Sequence, residues 1–226
     1  MKDLADWYNK ELTNASFKEL INFIKWCNKI YGYHPVIVGG WAVWHYAKHA
    51  KSRDIDVIMP TNKSIHQLLL HYYKARNFKS YGFMVKQYFK EITVKNKKEK
   101  IYLDASSYER KNRLKEDPQI EMSWNLLEKN SIEWKTKNFT ARVPTKEFLL
   151  VMKVKALRDR LFELKEEKID EEIKSFLEAK VEKDENDIKQ LMKTKIRQEK
   201  LEKLLKKTKF KKYFDQTIKE LKINSE

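Results

Sequence analysis

The sequence predicts an α+β fold, in which a mixed β-sheet flanked by helices precedes an all-helical C-terminal domain. Apolar runs with strand character occur only before about residue 143, and the rest of the chain follows helical periodicity. Only four Gly and four Pro among 226 residues indicate few loops and much helix. We therefore predict two domains, at 1–143 and 144–226, which pack closely because no Gly- or Ser-rich linker separates them.

The first domain is predicted to alternate helices with strands. In order we expect helix 16–31, strand 36–38, helix 41–49, strand 54–59, a helix from Asn62 or Ser64 to 76, strands 82–89, 91–95 and 100–104, helix 123–129 and strand 139–143. Ser16 and Glu19 form a capping box at the start of the first helix, and Gly32 ends it. Residues 96–98 are the expected tip of a hairpin.

The second domain is predicted to begin at Pro144, with Thr145 as the N-cap of a long helix. No strand pattern follows. The tail from Lys189 to Lys212 contains eleven Lys or Arg and two acids, so it carries nine of the sixteen net positive charges. Its apolar residues give it a packing stripe, and the opposite face is either a phosphate-binding surface or an ordinary solvated helix face.

Two strands of the first domain carry the clearest chemical pattern. One is an apolar run that ends in Gly39-Gly40, and the other contains Asp54 and Asp56. Side chains alternate along a strand, so both carboxylates point to one face. Such close charges repel each other unless a cation lies between them, which predicts a Mg²⁺ site. The glycine pair lets backbone N–H groups approach an anion at a helix start, which predicts a phosphate site. The alternative is a glycine turn and two surface acids.

This arrangement resembles the nucleotidyltransferase superfamily of DNA polymerase β. Thirteen residues, 41–53, separate the glycines from Asp54, at the long end of that superfamily's range. The resemblance implies two Mg²⁺ ions held by Asp54 and Asp56, and a third acid on a neighbouring strand, for which Asp104 is the candidate. It also implies that Gly39 and Gly40, helped by Ser52, cradle a triphosphate. The alternative role for Asp104 is to cap a turn at 105–107.

The helical half carries two further motifs. Lys153, Ala156 and Arg160 share one helix face, with the small residue between two cations. Asp184 and Asp187, three residues apart, also share a face. Each alone is more typical of a solvated helix face.

In this order, the motifs resemble the AbiEii toxin family of nucleotidyltransferases over about residues 34–192. The resemblance implies that Lys153 and Arg160 neutralise phosphate charge, and that Asp184 and Asp187 position Lys153 or the acceptor.

The amino-acid composition indicates what kind of partner the protein binds and where in the cell it is found. A net charge of +16 indicates an anionic partner, most plausibly nucleic acid, or else a general Lys bias. The single cysteine, Cys27, excludes an internal disulfide, and no apolar run approaches the ~20 residues of a membrane span. We therefore expect a cytoplasmic protein with no membrane contact. His45 and His49, four residues apart, could bind zinc, with packing as the alternative.

These observations predict an enzyme that transfers a nucleoside monophosphate from an NTP to a hydroxyl. The expected acceptor is RNA, such as the transfer RNA that some members of the resembled family modify, and an antitoxin protein is a further expected partner. Two alternatives stay open at this point. One is a small-molecule acceptor, as in antibiotic-modifying relatives. The other is a non-catalytic RNA- or partner-binding protein on the same fold.

Overall fold

The computed structural model describes residues 9–81, 87–166 and 169–223. The strands are β1 Val36–Val38, β2 Ile55–Met59, β3 Lys79–Tyr81, β4 Gln87–Val94, β5 Lys97–Ser107, β6 Ser131–Lys135 and β7 Thr140–Pro144. The helices are α1 Lys10–Tyr31, α2 Gly39–Ala47, α3 Asn62–Gln67, α4 Leu126–Lys129, α5 Lys146–Glu163, α6 Glu171–Met192, α7 Gln198–Thr208 and α8 Lys211–Glu220. A π-helical segment, Leu68–Tyr73, continues α3. The predicted α+β class is confirmed.

The seven strands form one mixed sheet in the order β3-β4-β5-β2-β1-β7-β6. The central strand β2 is antiparallel to β1 and parallel to β5. This register places Asp56 opposite Val38 on one side and opposite Asp104 on the other. The acids of two strands therefore lie beside the point where β1 runs into α2.

One large hydrophobic core joins the sheet to helices from both the N-terminal and the C-terminal half of the chain. Its buried members include Leu20 of α1, Trp41 of α2, Leu150 of α5, Ile188 of α6 and Leu205 of α7. The helical half therefore packs directly on the sheet half, as its apolar stripes predict. None of the helices in the described ranges is long and apolar enough to cross a lipid bilayer.

The start of the first helix differs from the prediction. Helix α1 begins at Lys10, where the side chain of Asn9 accepts hydrogen bonds from two backbone N–H groups of the first turn. Ser16 instead accepts a hydrogen bond from Trp41 Nε1, and Glu19 binds Tyr72, Arg76 and Lys90. The predicted capping box is wrong because both side chains bind residues from other parts of the fold. Gly32 does end the helix, with a φ of 64°.

Several strand and helix ends also differ. β5 continues to Ser107, so Asp104 lies within a strand and the predicted turn at 105–107 is wrong. The β4–β5 hairpin turns at Lys95 and Asn96, both with positive φ. Thr61, rather than Asn62 or Ser64, caps α3. β6 was not predicted, and residues 82–86 of the expected strand 82–89 lie outside the described residues.

Candidate active site

A cavity of about 300 Å³ opens between the sheet and helices α5 and α6. Its lining includes apolar side chains that belong to one cluster, among them Ile58, Trp124 and Met152. The lining also has polar residues, with glycines from the start of α2, acids from β2, β5 and α6, and cations from α5 and α6. These polar residues are Gly39, Gly40, Asp56, Asp104, Lys153, Arg160, Lys180, Lys183 and Asp184.

Asp56 and Asp104 are adjacent carboxylates on parallel strands. Within the described ranges neither side chain makes a hydrogen bond or an ion pair. Burial and the neighbouring charge of Asp54 raise the pKa of Asp56, and burial together with Asp56 and Asp54 raises the pKa of Asp104 to about 7. The pair therefore carries concentrated negative charge that a cation would stabilise.

Asp54 lies just before β2 and is already neutralised by side chains. Lys180 Nζ donates to its Oδ2 at 2.5 Å, and Arg53 Nε donates to its Oδ1 at 3.3 Å. Burial opposes ionisation of this carboxyl, but Lys180, Arg53 and Lys183 outweigh it and hold the pKa of Asp54 well below its usual range. The three acids thus lie close together, and among the described residues only Asp54 has a cation bound to its side chain.

The glycine pair forms the first turn of α2, two residues earlier than predicted. Gly39 has a φ of 63°, and a Cβ atom there would lie 2.0 Å from Asp56 Oδ2. A Cβ atom at Gly40 would lie 2.7 Å from the Ser52 hydroxyl. That hydroxyl is buried and has no hydrogen-bond partner within the described residues. The turn therefore offers backbone N–H groups, a helix N-terminus and an unsatisfied hydroxyl to an anion.

Lys183 is a buried cation at the same turn. Its side chain is 92% buried, and its Nζ would lie 3.1 Å from a Cβ atom at Gly40. No carboxylate of the described residues pairs with it. Burial and the nearby charges of Lys180 and Lys153 lower its pKa to about 8. Because buried charges are normally paired, this ammonium indicates an anionic ligand.

The motifs of the two long helices meet across the cavity wall. Lys153 Nζ donates to Asp184 Oδ1 at 2.9 Å and to Asp187 Oδ2 at 2.6 Å. Arg160 pairs with the other oxygen of Asp184. His49 Nε2 lies 3.9 Å from Asp187 Oδ1. Asp184 and Asp187 of α6 thus hold Lys153 and Arg160 of α5 in a buried network that lines the same cavity as Asp56 and Asp104.

The structure brings most of the predicted site residues together, and two further cations lie among them. The predicted residues that line the cavity are Gly39, Gly40, Asp56, Asp104, Lys153, Arg160 and Asp184. Asp54 and Asp187 are bound to the lining residues Lys180 and Lys153, and Ser52 lies next to Gly40. Lys180 and Lys183 were not assigned a role, although they lie three residues apart on α6 and share the helix face of Asp184 and Asp187. That spacing was the only sequence signal, because their partners are distant in the chain.

The zinc alternative for the two histidines finds no support. The His45 ring packs on Trp134 at 4.9 Å between centroids, while His49 contacts Asn186 and Asp187. More generally, no three His, Cys, Asp or Glu side chains of the described residues are arranged as a ready metal cage. The unneutralised pair Asp56 and Asp104 nevertheless fits a divalent cation, since hard oxygen ligands of this kind suit Mg²⁺.

No protein-family model matches this chain, and no curated protein matches its sequence. Among solved structures, an antigenic nucleotidyltransferase-like protein from Paracoccidioides brasiliensis aligns with 92% of this chain and 94% of its own. The sequence identity is 12% and the TM-score is 0.49. At these values the likeness says nothing about substrate or chemistry, so the function is inferred from the residues of the cavity.

Replacing Lys153 and Lys155 separately is expected to give unequal results. Lys153 lines the cavity, whereas Lys155 Nζ donates to Asp159 Oδ2 at 2.5 Å and lies outside the lining. We expect Lys153→Ala to weaken nucleotide binding or turnover by about tenfold or more, because a buried charge network loses its centre. Lys155→Ala should change either by less than about twofold. Steady-state kinetics of both variants tests this, and the reverse ranking would contradict it.

The stability of the metal-free protein is expected to depend on Asp104. Its pKa is about 7 in the fold against a usual 3.8, so the folded form binds this proton more tightly than the unfolded form. The proton's stabilising effect is complete below about pH 4 and is lost as pH rises towards about pH 7. Between these pH values, the free energy of unfolding of the wild type should therefore fall by on the order of 2–4 kcal/mol relative to that of Asp104→Asn.

Thermal unfolding of both proteins at several pH values measures this loss. The difference between the two is the required quantity, because burial lowers the pKa of His45 to about 4 and also lowers that of His49. These histidines give stability that rises with pH up to about 6.5, and they do so in both proteins. Equal pH profiles for the two proteins would show that Asp104 ionises normally.

Proposed function

We propose that this protein is a Mg²⁺-dependent nucleotidyltransferase. The proposal depends on a carboxylate pair and a buried cation that meet at one cavity. Asp56 and Asp104 form the pair, and Lys183 lies next to the glycine turn at Gly40. Among the described residues, neither carboxylate is bound to a cation and Lys183 pairs with no carboxylate. A divalent cation and a polyphosphate together satisfy both groups, since each supplies the charge that the other side lacks. A site for either ligand alone would leave buried charge uncompensated.

In this proposal the triphosphate lies on the first turn of α2. Backbone N–H groups of Gly39 and Gly40 and the Ser52 hydroxyl donate to it, and Lys183 neutralises part of its charge. Lys153 and Arg160 are held near it by Asp184 and Asp187. These residues bind and orient the nucleotide so that its α-phosphorus faces the carboxylates.

The transfer forms a bond between the acceptor hydroxyl oxygen and the α-phosphorus, and breaks the bond between that phosphorus and the pyrophosphate. The pyrophosphate leaves with the electron pair of the broken bond. Asp104 is placed to accept the proton of the attacking hydroxyl, because it has no donor or cation of its own in the described ranges. When bound, two Mg²⁺ ions at Asp54, Asp56 and Asp104 would supply charge stabilisation of the attacking and leaving oxygens.

The apolar part of the cavity lining supports a nucleotide over a simple phosphate. Trp124, Met152 and Ile58 belong to one apolar cluster and line the same cavity of about 300 Å³ as the polar residues. An aromatic and aliphatic wall next to a polyphosphate site suits a nucleobase, which has two π-faces and little charge.

The proposed acceptor is RNA, as in the tRNA-modifying members of the toxin family that the motifs resemble. The basic tail supports this, since α7 buries Leu201, Leu204 and Leu205 and leaves Lys206 and Lys207 exposed. An antitoxin protein as partner follows from the same resemblance and belongs to this proposal.

Incubation with each α-labelled NTP, Mg²⁺ and total RNA tests the function. We expect label from one or more NTPs to enter RNA, and chelation of the metal to prevent it. If the label instead enters a small molecule that is added as acceptor, the protein is a nucleotidyltransferase but RNA is not its acceptor. Absence of transfer from all four NTPs to RNA or small-molecule hydroxyls would contradict the proposal.

The tail gives a separate prediction about RNA binding. Five lysines of the tail are candidates for contact with RNA: Lys200, Lys203, Lys206, Lys207 and Lys211. Three of them have acidic neighbours, since Lys200 pairs with Glu147, Lys203 with Glu199 and Lys211 with Glu202. Lys206 and Lys207 have none within the described residues. Reversing both charges to Glu should weaken RNA binding and lower the slope of log affinity against log salt by about 0.7–0.9 per lost contact.

Filter binding or fluorescence anisotropy at several salt concentrations measures that slope. Lys97→Glu/Lys98→Glu on the β4–β5 hairpin is the matched control, because it changes net charge equally without touching the tail. Nucleotide binding should stay the same in both variants. If the two double variants behave alike, the tail is a solvated surface and general charge accounts for RNA affinity.

A further inference from the structure

The Lys180 ammonium supplies positive charge to one acid of the carboxylate cluster. Its Nζ lies 2.5 Å from Asp54 Oδ2, and the two side chains are only 16% and 9% exposed. The residues are 126 positions apart, so this ion pair ties α6 to the strand that carries the acids. Asp54 is thereby engaged with a lysine, while Asp56 and Asp104 have no such partner among the described residues.

Lys180 and Lys183 also share one face of α6. Lys183, three residues further on, lies next to Gly40, where its Nζ would be 3.1 Å from an added Cβ atom. The two ammonium groups therefore point from one helix to two neighbouring places, the acids and the phosphate turn. A lysine has a flexible four-carbon stem and three donors, so its ammonium can change partners without any movement of the helix.

We propose that Lys180 is a tethered counter-ion of Asp54, which Mg²⁺ displaces and which then becomes a ligand of the triphosphate. The inference rests on the proposed function, because it needs both a metal ion and a nucleotide at this cavity. A divalent cation at Asp54 repels the ammonium, because like charges so close together are unfavourable. Since the metal also takes up the negative charge of the neighbouring acids, a polyphosphate on the glycine turn, where Lys183 already lies, is the anion that can receive the displaced group.

This arrangement couples metal binding to nucleotide binding. Mg²⁺ alone must break the largely buried Lys180–Asp54 ion pair, so the free metal binds weakly. When the metal arrives with a nucleotide, the triphosphate receives the ammonium and that penalty disappears. Mg²⁺ therefore binds weakly in the absence of a nucleotide, and the nucleotide and the metal bind cooperatively.

Lys180→Met tests the inference by calorimetry, with MgCl₂ alone and then with a non-hydrolysable ATP analogue plus Mg²⁺. We expect opposite shifts: affinity for Mg²⁺ alone increases on the order of tenfold, while affinity for the analogue with Mg²⁺ decreases by a similar factor. Lys183→Met is the matched control. It removes the same charge from the same helix face without touching Asp54, so it should weaken analogue binding with little gain for Mg²⁺.

Two further variants keep the result interpretable. Lys180→Arg retains the positive charge and should behave closer to wild type in both titrations. Lys180→Gln replaces Lys180→Met if thermal unfolding shows that the methionine variant does not fold. Unchanged or weaker binding of Mg²⁺ alone in the charge-removing variants overturns the inference, even if transfer activity is found. Opposite shifts in a protein that transfers no nucleotide support the counter-ion and contradict the proposed function.

Discussion

Asp56→Asn is expected to abolish nucleotide transfer and to leave the fold intact. Asp56 is the central acid of the cluster, lying between Val38 at the phosphate turn and Asp104 on β5. An amide cannot supply the negative charge that two cations need. Turnover should therefore fall by at least about 10³-fold, which corresponds to about 4 kcal/mol of transition-state stabilisation.

The same substitution should make the metal-free protein more stable. Burial and the nearby charge of Asp54 raise the pKa of Asp56, so the ionised group is unfavourable in the fold. Replacing it with a neutral isostere removes that cost, and the thermal midpoint should rise while the stabilisation by added Mg²⁺ is lost. Asp215→Asn, at an exposed acid that pairs with Lys211, is the matched control and should change neither property.

Steady-state transfer assays and thermal unfolding with and without Mg²⁺ measure both effects. A variant with wild-type turnover would exclude Asp56 as a metal ligand. Loss of turnover together with a lower thermal midpoint would instead assign Asp56 a structural role.

Gly39→Ala is expected to be the most damaging single methyl addition in the site. Gly39 has a left-handed φ of 63°, and the new Cβ would lie 2.0 Å from Asp56 Oδ2. Gly32 provides a control, because its φ is 64° but nothing lies within 4 Å of its Cβ position. Gly32→Ala should lower the free energy of unfolding by about 1–2 kcal/mol, because a left-handed φ is unfavourable for alanine. Gly39→Ala should lower it by about 1–3 kcal/mol more, because its methyl group also clashes with Asp56.

Chemical denaturation of the two variants measures the difference. The clash can be isolated further with Asp56→Ala, which removes the carboxylate that the methyl group would meet. In the double variant Gly39→Ala/Asp56→Ala the additional cost should largely disappear, giving a coupling energy of about 1 kcal/mol or more. Equal costs for the two glycine variants would show that Asp56 moves aside freely and that Gly39 serves only the backbone.

Strand alternation and helix periodicity predicted the main parts of the site. They placed Asp54 and Asp56 on one strand face, and put Lys153 and Arg160 on one face of α5. In the structure Asp54 lies just before β2 and not on it. The shared helix and strand faces depend on local geometry, which repeats every two or 3.6 residues and is therefore visible in the sequence. Asp104 was instead proposed from the family resemblance, which implies a third acid on a neighbouring strand, and that strand runs three residues past it.

The features that the sequence did not predict depend on contacts between distant segments. Lys180 reaches Asp54 across 126 residues, and Ser16 leaves its expected capping role for the Trp41 indole. β6 was missed because only Trp134 of its five residues is buried, so the alternating pattern is short. A local pattern cannot show which of several possible partners a polar side chain takes in the fold.

The central claim is that Asp56 and Asp104 hold a metal ion beside a triphosphate on Gly39-Gly40. A crystal structure with Mn²⁺ and a non-hydrolysable NTP analogue tests it most directly, because Mn²⁺ gives an anomalous signal at its own position. We expect that signal between Asp56 and Asp104, with Lys183 in contact with the phosphates and Lys180 moved away from Asp54. Anomalous signal elsewhere, or a nucleotide that binds outside the cavity, would contradict the account.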